Sequence, residues 1–401
     1  MDRNKMKILK KIIIFSSLPI IFVLKILNSF ILIRWAPNDY SQRIGNLVAI
    51  LEHYTCYKKI QKRRVIDLFF FEKICNHYLG SVRKKQINTV NKNLIKVLDH
   101  SNNFYCNLFN LDPKVNLIPR EELSARDKFG VVNKFGPSFS FSQEENFIAE
   151  KFLKSIGFSK KDKIISLIIR DKSYLKKEFP NINLDYHDYR DSDFETYEEG
   201  INYLLSSGFK VIRMGKHMEK KLNIKNKNYF DYSQSNLKSD FLDIWLMSNC
   251  YFCISSGTGL DHIPRIFKIP TLYINFINLF SAETYHKSLT YPKILVKGDT
   301  KKGLTLTEYL DSNSNKKEDF AKKNINILDL SSNEIKDAFV EMVTMMKNNW
   351  VLDDEERRRQ KSFMNSFKEY FSKSYINPHG FIHDKFFISP TFLSKNAKWL
   401  L

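Results

Sequence analysis

The sequence is poor in the devices that mark metal, disulfide and familiar nucleotide chemistry. Its five cysteines, Cys56, Cys75, Cys106, Cys250 and Cys253, are odd in number and irregularly spaced, which argues against a disulfide framework. Cys250 and Cys253 form a C-x-x-C, but no second cysteine pair or histidine cluster completes a zinc set. His187, His217, His262 and His286 also lack ligand spacing. The expectation is reduced, buried thiols with no metal and no cofactor. There is no G-x-x-x-x-G-K-[ST], no G-x-G-x-x-G after a strand and no G-x-S-x-G, which lowers P-loop, dinucleotide and hydrolase readings. No internal repeat, zinc-finger spacing or RNP-type pattern occurs either.

What the chain has is basic charge and apolar bulk. Its 401 residues suffice for two or three domains with cores of their own, and 43% hydrophobic with 27% charged residues excludes wholesale disorder. The 33 Phe and 19 Tyr accompany abundant Lys, Asn and Ile, as codon bias in an AT-rich genome would produce. A net charge of +20 is compatible with nucleic acid, an anionic membrane surface or phosphorylated ligands. The clusters at Lys58, Lys59, Lys62, Arg63 and Arg64, and at 357–359, carry no interleaved stacking aromatics. They read as solvated faces plus a membrane-facing surface, with no nucleic-acid partner.

Residues 12–33 are mostly apolar and follow Lys5, Lys7, Lys10 and Lys11. The length could just span a bilayer, yet Ser16, Ser17, Pro19, Lys25, Asn28 and Ser29 interrupt it, and basic residues flank both sides. No small-x-small cleavage site precedes Trp35. Lys25, Asn28 and Ser29 share one helical face, so the reading is a helix lying in the membrane interface, ahead of a spanning helix or a signal peptide.

Beyond it, residues 43–59 read as helix and 65–70 as strand, while turn signals make 100–140 loop-rich. Ser142-x-x-Glu145 is a capping box opening a helix closed by Gly157. Residues 163–169 (KIISLII) form an apolar strand of the kind buried on both faces of a parallel sheet. A helix over 194–205, strands at 210–213 and 229–230, a helix that Asn236 or Ser239 can cap, a strand at 251–254, a second helix and a last strand near 271–275 follow. This alternation predicts a doubly wound α/β domain. The domain reading is 1–34 as a basic, apolar membrane anchor and 35–157 as an N-terminal domain. Residues 158–345 then form a C-terminal ligand-binding domain, and 346–401 a helix and tail packing back.

Ligands of such sheets bind beyond the carboxyl ends of strands. There stand Arg170 and Asp171 with Tyr174 one turn on, Arg213 and Gly215, and the turn Ser255-Ser256-Gly257-Thr258-Gly259. Small residues between a strand and a helix can present backbone N–H groups to an anion, and the arginine fork suits a diphosphate. Each arginine is equally compatible with an ion pair to a nearby acid. Asp240 and Asp243 open the SDFLDIWL helix, either as carboxylates favoured at a helix N-terminus or as acceptors for ligand hydroxyls. Tyr189-Arg190-Asp191-Ser192-Asp193 contains the one D-x-D, placed before a helix and not at the end of a buried strand.

At these residues the chain resembles a family of bacterial glycosyltransferases encoded with surface-polysaccharide genes. The matching stretches are RIGN (43–46), FSQEE (141–145), IIRDKSYL (168–175), YRDSDFETY (189–197), VIRMGK (211–216), 229–264 and ISPTFL (388–393). Asn46 departs from the family pattern, which more usually has His. More loosely, the second domain is similar to the donor site of GT-B fucosyltransferase-like enzymes. The resemblance implies a GT-B-like α/β fold of two Rossmann-like domains, a nucleotide-sugar donor and no metal. It implies that Arg170 and the 255–259 turn bind the diphosphate, assisted by Arg213, and that Asp240 or Asp243 holds donor hydroxyls or base. Arg190 joins that set, while Arg43 and Asn46, otherwise a solvated turn and helix cap, face the acceptor. The expected activity is transfer of a hexosyl or deoxyhexosyl group to a lipid-linked or surface glycan, as in O-antigen synthesis. The expected location is the cytoplasmic face of the bacterial inner membrane. A non-catalytic basic protein of a glycan assembly complex is the alternative.

Overall fold

The computed structural model describes residues 3–171, 173–178, 185–218, 220–298, 300, 302–314, 316–347 and 350–400. The chain divides into two units, Met1–Ala125 with Lys134–Phe139, and Arg126–Asn133 with Ser140–Leu401. The helix Gln143–Ser155, with the Ser142–Glu145 capping box expected of it, therefore lies in the second unit and not in the first.

The first unit carries three parallel strands, β1 (Leu32–Trp35), β2 (Val65–Phe69) and β3 (Asn88–Thr89), in that order. Register sets Arg34 beside Asp67, and the two are joined at 2.7 and 2.9 Å. Glu122 grips the same guanidinium at 2.7 and 2.8 Å, and the Tyr54 hydroxyl donates to Asp67 at 2.7 Å. All of these groups are buried, so each charge needs the partners it has. The run after Arg43 winds as a π-helical turn, Asn46–Ile50, into the helix Leu51–Tyr57.

The N-terminal helix Arg3–Leu27 is part of this unit. It packs on the helix Lys92–Leu108, where the hydroxyls of Ser17 and Ser101 meet at 2.5 Å and the Phe15 and Phe104 rings stand edge to face. The polar face expected to meet water is instead turned to protein. Lys25 donates to Asn116 Oδ1 at 2.7 Å, and Asn28 Oδ1 accepts from the Ile33 N–H at 3.1 Å. Ile20, Phe22, Val23 and Ile26 remain exposed. Among the described residues, no helix is long and apolar enough to cross a membrane.

The second unit is built on a seven-stranded sheet, all parallel, in the order β12-β9-β8-β7-β4-β5-β6. The strands are β4 (Ile164–Ile168), β5 (Lys210–Arg213), β6 (Tyr229–Asp231), β7 (Phe252–Ser255), β8 (Thr271–Phe276), β9 (Ser288–Pro292) and β12 (Phe386–Ile388). β10 (Ile294–Lys297) and β11 (Ile325–Leu328) pair antiparallel as a separate ribbon. β4, β7 and β8 are buried along their whole length, as their apolar composition requires of central strands covered on both faces. Burial pushes the Cys250 thiol up to about 12, so it stays protonated within this core. The tail does more than cover the domain, because β12 joins the sheet beside β9. Phe363, Phe367 and Phe371, spaced i, i+4, i+8 on the helix Asp354–Lys373, fill the core beneath it.

Candidate functional site

From β4 the chain proceeds through β5 and β6 to one edge, then returns to β7 beside β4 and continues through β8 and β9 to the other. β4 and β7 therefore flank the point where strand order reverses, the position at which a doubly wound sheet opens a ligand crevice. Arg170 lies just past β4, and Ser255 to Gly259 end β7 and follow it. The Ser256 N–H donates to the Ile168 carbonyl at 3.1 Å, and Ser256 Oγ accepts from the Arg170 N–H at 2.8 Å. The two loops are thus stitched into one rim.

Three cations gather at that rim. The Arg170 guanidinium pairs with Asp191 at 3.0 Å, and Arg190 donates to the Gly257 carbonyl at 3.0 Å. Lys293, only 2% exposed, donates to the carbonyls of Tyr189 and Asp191 at 3.0 and 2.6 Å and pairs with Asp329 at 2.7 Å. Burial, then the neighbouring Arg170 charge, lowers the pKa of Arg190. Burial also lifts the Asp191 carboxyl to about 6 against the pull of Arg170. Acids are interleaved with these cations, Asp191 on Arg170 and Asp329 on Lys293, so an anionic ligand here would have to compete with the protein's own carboxylates.

The turn itself works differently from the expectation. Two of its donors already have side-chain acceptors within the chain: the Gly257 N–H bonds Ser255 Oγ at 3.0 Å, and the Thr258 N–H bonds Asp261 Oδ2 at 2.7 Å. Ser255 Oγ–H donates to the same Asp261 oxygen at 2.7 Å. The carboxylate cradled by the turn is the protein's own, and burial raises its pKa to about 6. Gly257 is left-handed at φ +85°, and a Cβ there would stand 3.3 Å from the Phe276 ring.

Arg213 does not join the rim. It is 1% exposed, pairs with Asp231 at 3.0 Å, donates to the Lys220 carbonyl at 2.6 Å and stacks 3.7 Å from the Phe194 ring centroid. Gly215 beyond it has φ +152°, and a Cβ there would meet Met218 at 2.8 Å. Asp171 accepts from the Ser173 N–H at 2.8 Å at the start of the helix Ser173–Glu178. Tyr174 lies on that helix with its side chain outside the described residues. Asp240 and Asp243 occupy the first turn of the helix Asp240–Ser248, capped by Ser239. Burial holds Asp243 at about 6 despite a hydrogen bond from Tyr232. Arg43 and Asn46 belong to the first unit, where they line a cleft of about 760 Å³ with Asp39, Lys92, Lys96 and His100.

No protein-family model and no curated protein matches the chain. Among solved structures it is similar to a family 9 glycosyl transferase from Veillonella parvula, at 12% identity over 65% of this chain and 85% of that one, with a TM-score of 0.42. It is similar also to the E. coli heptosyltransferase WaaC with ADP, at 11% identity over 79% and 98%, TM-score 0.38. A third is a UDP-GlcNAc 2-epimerase from Methanocaldococcus jannaschii, at 11% identity over 92% and 99%, TM-score 0.33. Chemistry has to be read from the residues themselves.

Sequence reasoning assigned no site role to Asp191, Asp261 or Lys293. Asp191 carried a signal as the first acid of the D-x-D, and Lys293 as a lone cation between TYP and ILV. Asp261 carried none beyond its nearness to the turn.

Proposed function

We propose that the chain is a glycosyltransferase that takes a nucleotide-sugar donor at the β4/β7 switch point. Arg170 and Arg190 contact the diphosphate. The observation that carries this reading is the convergence of Arg170, Arg190 and the Ser256–Gly257 turn on one rim. Departure of a nucleoside diphosphate leaves negative charge on the leaving group, and fixed guanidinium donors stabilise that charge without a metal. The acceptor is a lipid-linked or surface glycan of bacterial polysaccharide synthesis. The apolar face of Arg3–Leu27, lying on the inner membrane's cytoplasmic side, would bring the enzyme to it.

Calorimetry with a panel of nucleotide sugars tests the proposal. The wild type binds at least one of them, and Arg170→Ala weakens it by about 10- to 150-fold, the worth of a charged hydrogen bond. Absence of binding to every donor would favour the non-catalytic alternative.

A further inference from the structure

A polar cavity in the second unit lies by the amino ends of β8 and β9. It measures about 70 Å³ and is lined by Asp127, Asn133, Arg265, Lys268, His286 and Lys287 among others. Lys268 precedes β8 and Lys287 precedes β9, so the cavity sits toward the amino ends of the strands, away from Arg170 and the 255–259 turn. It has room for a few water-sized groups.

Its walls hold unmet hydrogen-bonding capacity. Asp127 is 3% exposed. One of its oxygens accepts from the Asn133 N–H at 2.9 Å, while Oδ1 has no partner among the described residues. His286 is 5% exposed and its Nε2 has none either. Burial, then the charge on Arg265, takes the His286 pKa down to about 3, so the ring is a neutral donor and acceptor. Burial and the nearby Lys385 lower the pKa of Lys287. Lys268 is held left-handed at φ +60°, where glycine is the easier residue. Buried polar groups without partners are uncommon in folded proteins, and here they line a cavity that two further lysines border.

We infer that this cavity is a binding site for a protonated phosphate-type oxyanion. Lys268 and Lys287 supply the charge, His286 a neutral donor, and Asp127 Oδ1 accepts the proton that hydrogen phosphate carries. Sulfate, with no proton at neutral pH, would set acceptor against acceptor at Asp127 and binds more weakly. The bound ion ties the segment Arg126–Asn133 to the sheet.

The test is phosphate binding to the full chain by ³¹P NMR and thermal shift, with sodium sulfate and sodium chloride at matched ionic strength. The wild type gives a saturable shift with phosphate and at least a tenfold weaker one with sulfate. Lys287→Ala and Lys268→Ala each weaken phosphate at least tenfold while leaving nucleotide-sugar binding unchanged. Asp127→Asn narrows the gap between phosphate and sulfate, an effect that mere destabilisation would not produce. Arg170→Ala separates this site from the proposed donor site. Phosphate binding that vanishes in Arg170→Ala and survives in Lys287→Ala overturns the inference, as does no saturable phosphate binding in the wild type. An unchanged preference in Asp127→Asn overturns the role given to that carboxylate.

Discussion

Asp261 Oδ2 and Ser255 Oγ lie 2.7 Å apart inside the turn that closes β7. With the Thr258 N–H on the same oxygen, the chain fills its own anion cradle. Under the proposed function, the donor phosphates would therefore be met by the side chains of Arg170 and Arg190, now held by Asp191 and the Gly257 carbonyl. Asp261→Ala strips the buried Ser255 hydroxyl and the half-buried Thr258 N–H of their acceptor, which costs about 1–3 kcal/mol for the buried group and less for the other. Asp261→Asn keeps an acceptor oxygen and costs less. Urea denaturation of the two variants checks the order; equal midpoints for Asp261→Ala and wild type would show that the cradle contributes nothing.

Asp243 gives a pH signature of unusual sign. Its folded pKa of about 6 lies above the ordinary aspartate value near 3.9. The native state therefore binds the proton more tightly than the unfolded chain. The associated stability is present below about pH 4 and is lost as pH rises to about 6. Asp191 and Asp261 act in the same direction. The neutral, depressed histidines His262, His286 and His379 act oppositely, so the difference between variant and wild type is the quantity to follow. Relative to wild type, Asp243→Asn gains about 2–3 kcal/mol between pH 4 and pH 7, because each tenfold difference in proton affinity between the folded and unfolded chain corresponds to about 1.4 kcal/mol. Parallel stability profiles for the two proteins would contradict the raised pKa.

Arg213, held by Asp231 and Phe194, contrasts with the ligand-binding role proposed for Arg170. Asp231 is partly exposed and keeps the Ser233 hydroxyl, so Arg213→Ala loses mainly a charged hydrogen bond and the stacking on Phe194, about 2–3 kcal/mol. Arg213→Lys recovers little, because an ammonium cannot both stack flat on Phe194 and reach Asp231 and the Lys220 carbonyl. Whatever fraction folds keeps the wild-type donor affinity. A folded Arg213→Ala protein of normal stability and weakened donor binding would return this residue to the donor site.

Local patterns made the elements readable while long-range pairing stayed hidden. β5 occupies the expected 210–213, and β4 falls within 163–169. The helix caps at Ser142 and Ser239 are where short-range hydrogen-bond chemistry puts them. The first domain was harder: its sheet has only three strands, one of them two residues long, and its buried charges Arg34, Asp67 and Glu122 are up to 88 positions apart. Arg213 likewise finds its acid 18 positions away and its stacking ring on a different element. A strand-end arginine looks the same in sequence whether it turns to a ligand or to such a partner. Lys293 holds the Tyr189 and Asp191 carbonyls across more than a hundred residues, a relation no periodicity carries.

The N-terminal helix shows how a correct pattern can be oriented the wrong way round. Ser17, Ile21, Leu24 and Asn28 recur at helical spacing and face the protein, where Ser17 and Ile21 are buried and Asn28 bonds the Ile33 N–H. Phe22 and Ile26, a turn apart, face outward with Ile20 and Val23. A surface built this way suits shallow contact with lipid, strengthened by anionic headgroups near the lysines that precede it. Phe22→Glu combined with Ile26→Glu should abolish sedimentation with phosphatidylglycerol-containing vesicles. Thermal stability should stay near wild type, because neither side chain is buried. Ser17→Leu should do the reverse, breaking the buried Ser17–Ser101 contact and lowering stability while the exposed apolar residues stay intact. Vesicle binding that survives the double glutamate substitution, or no vesicle binding by the wild type, would overturn a lipid role for this face.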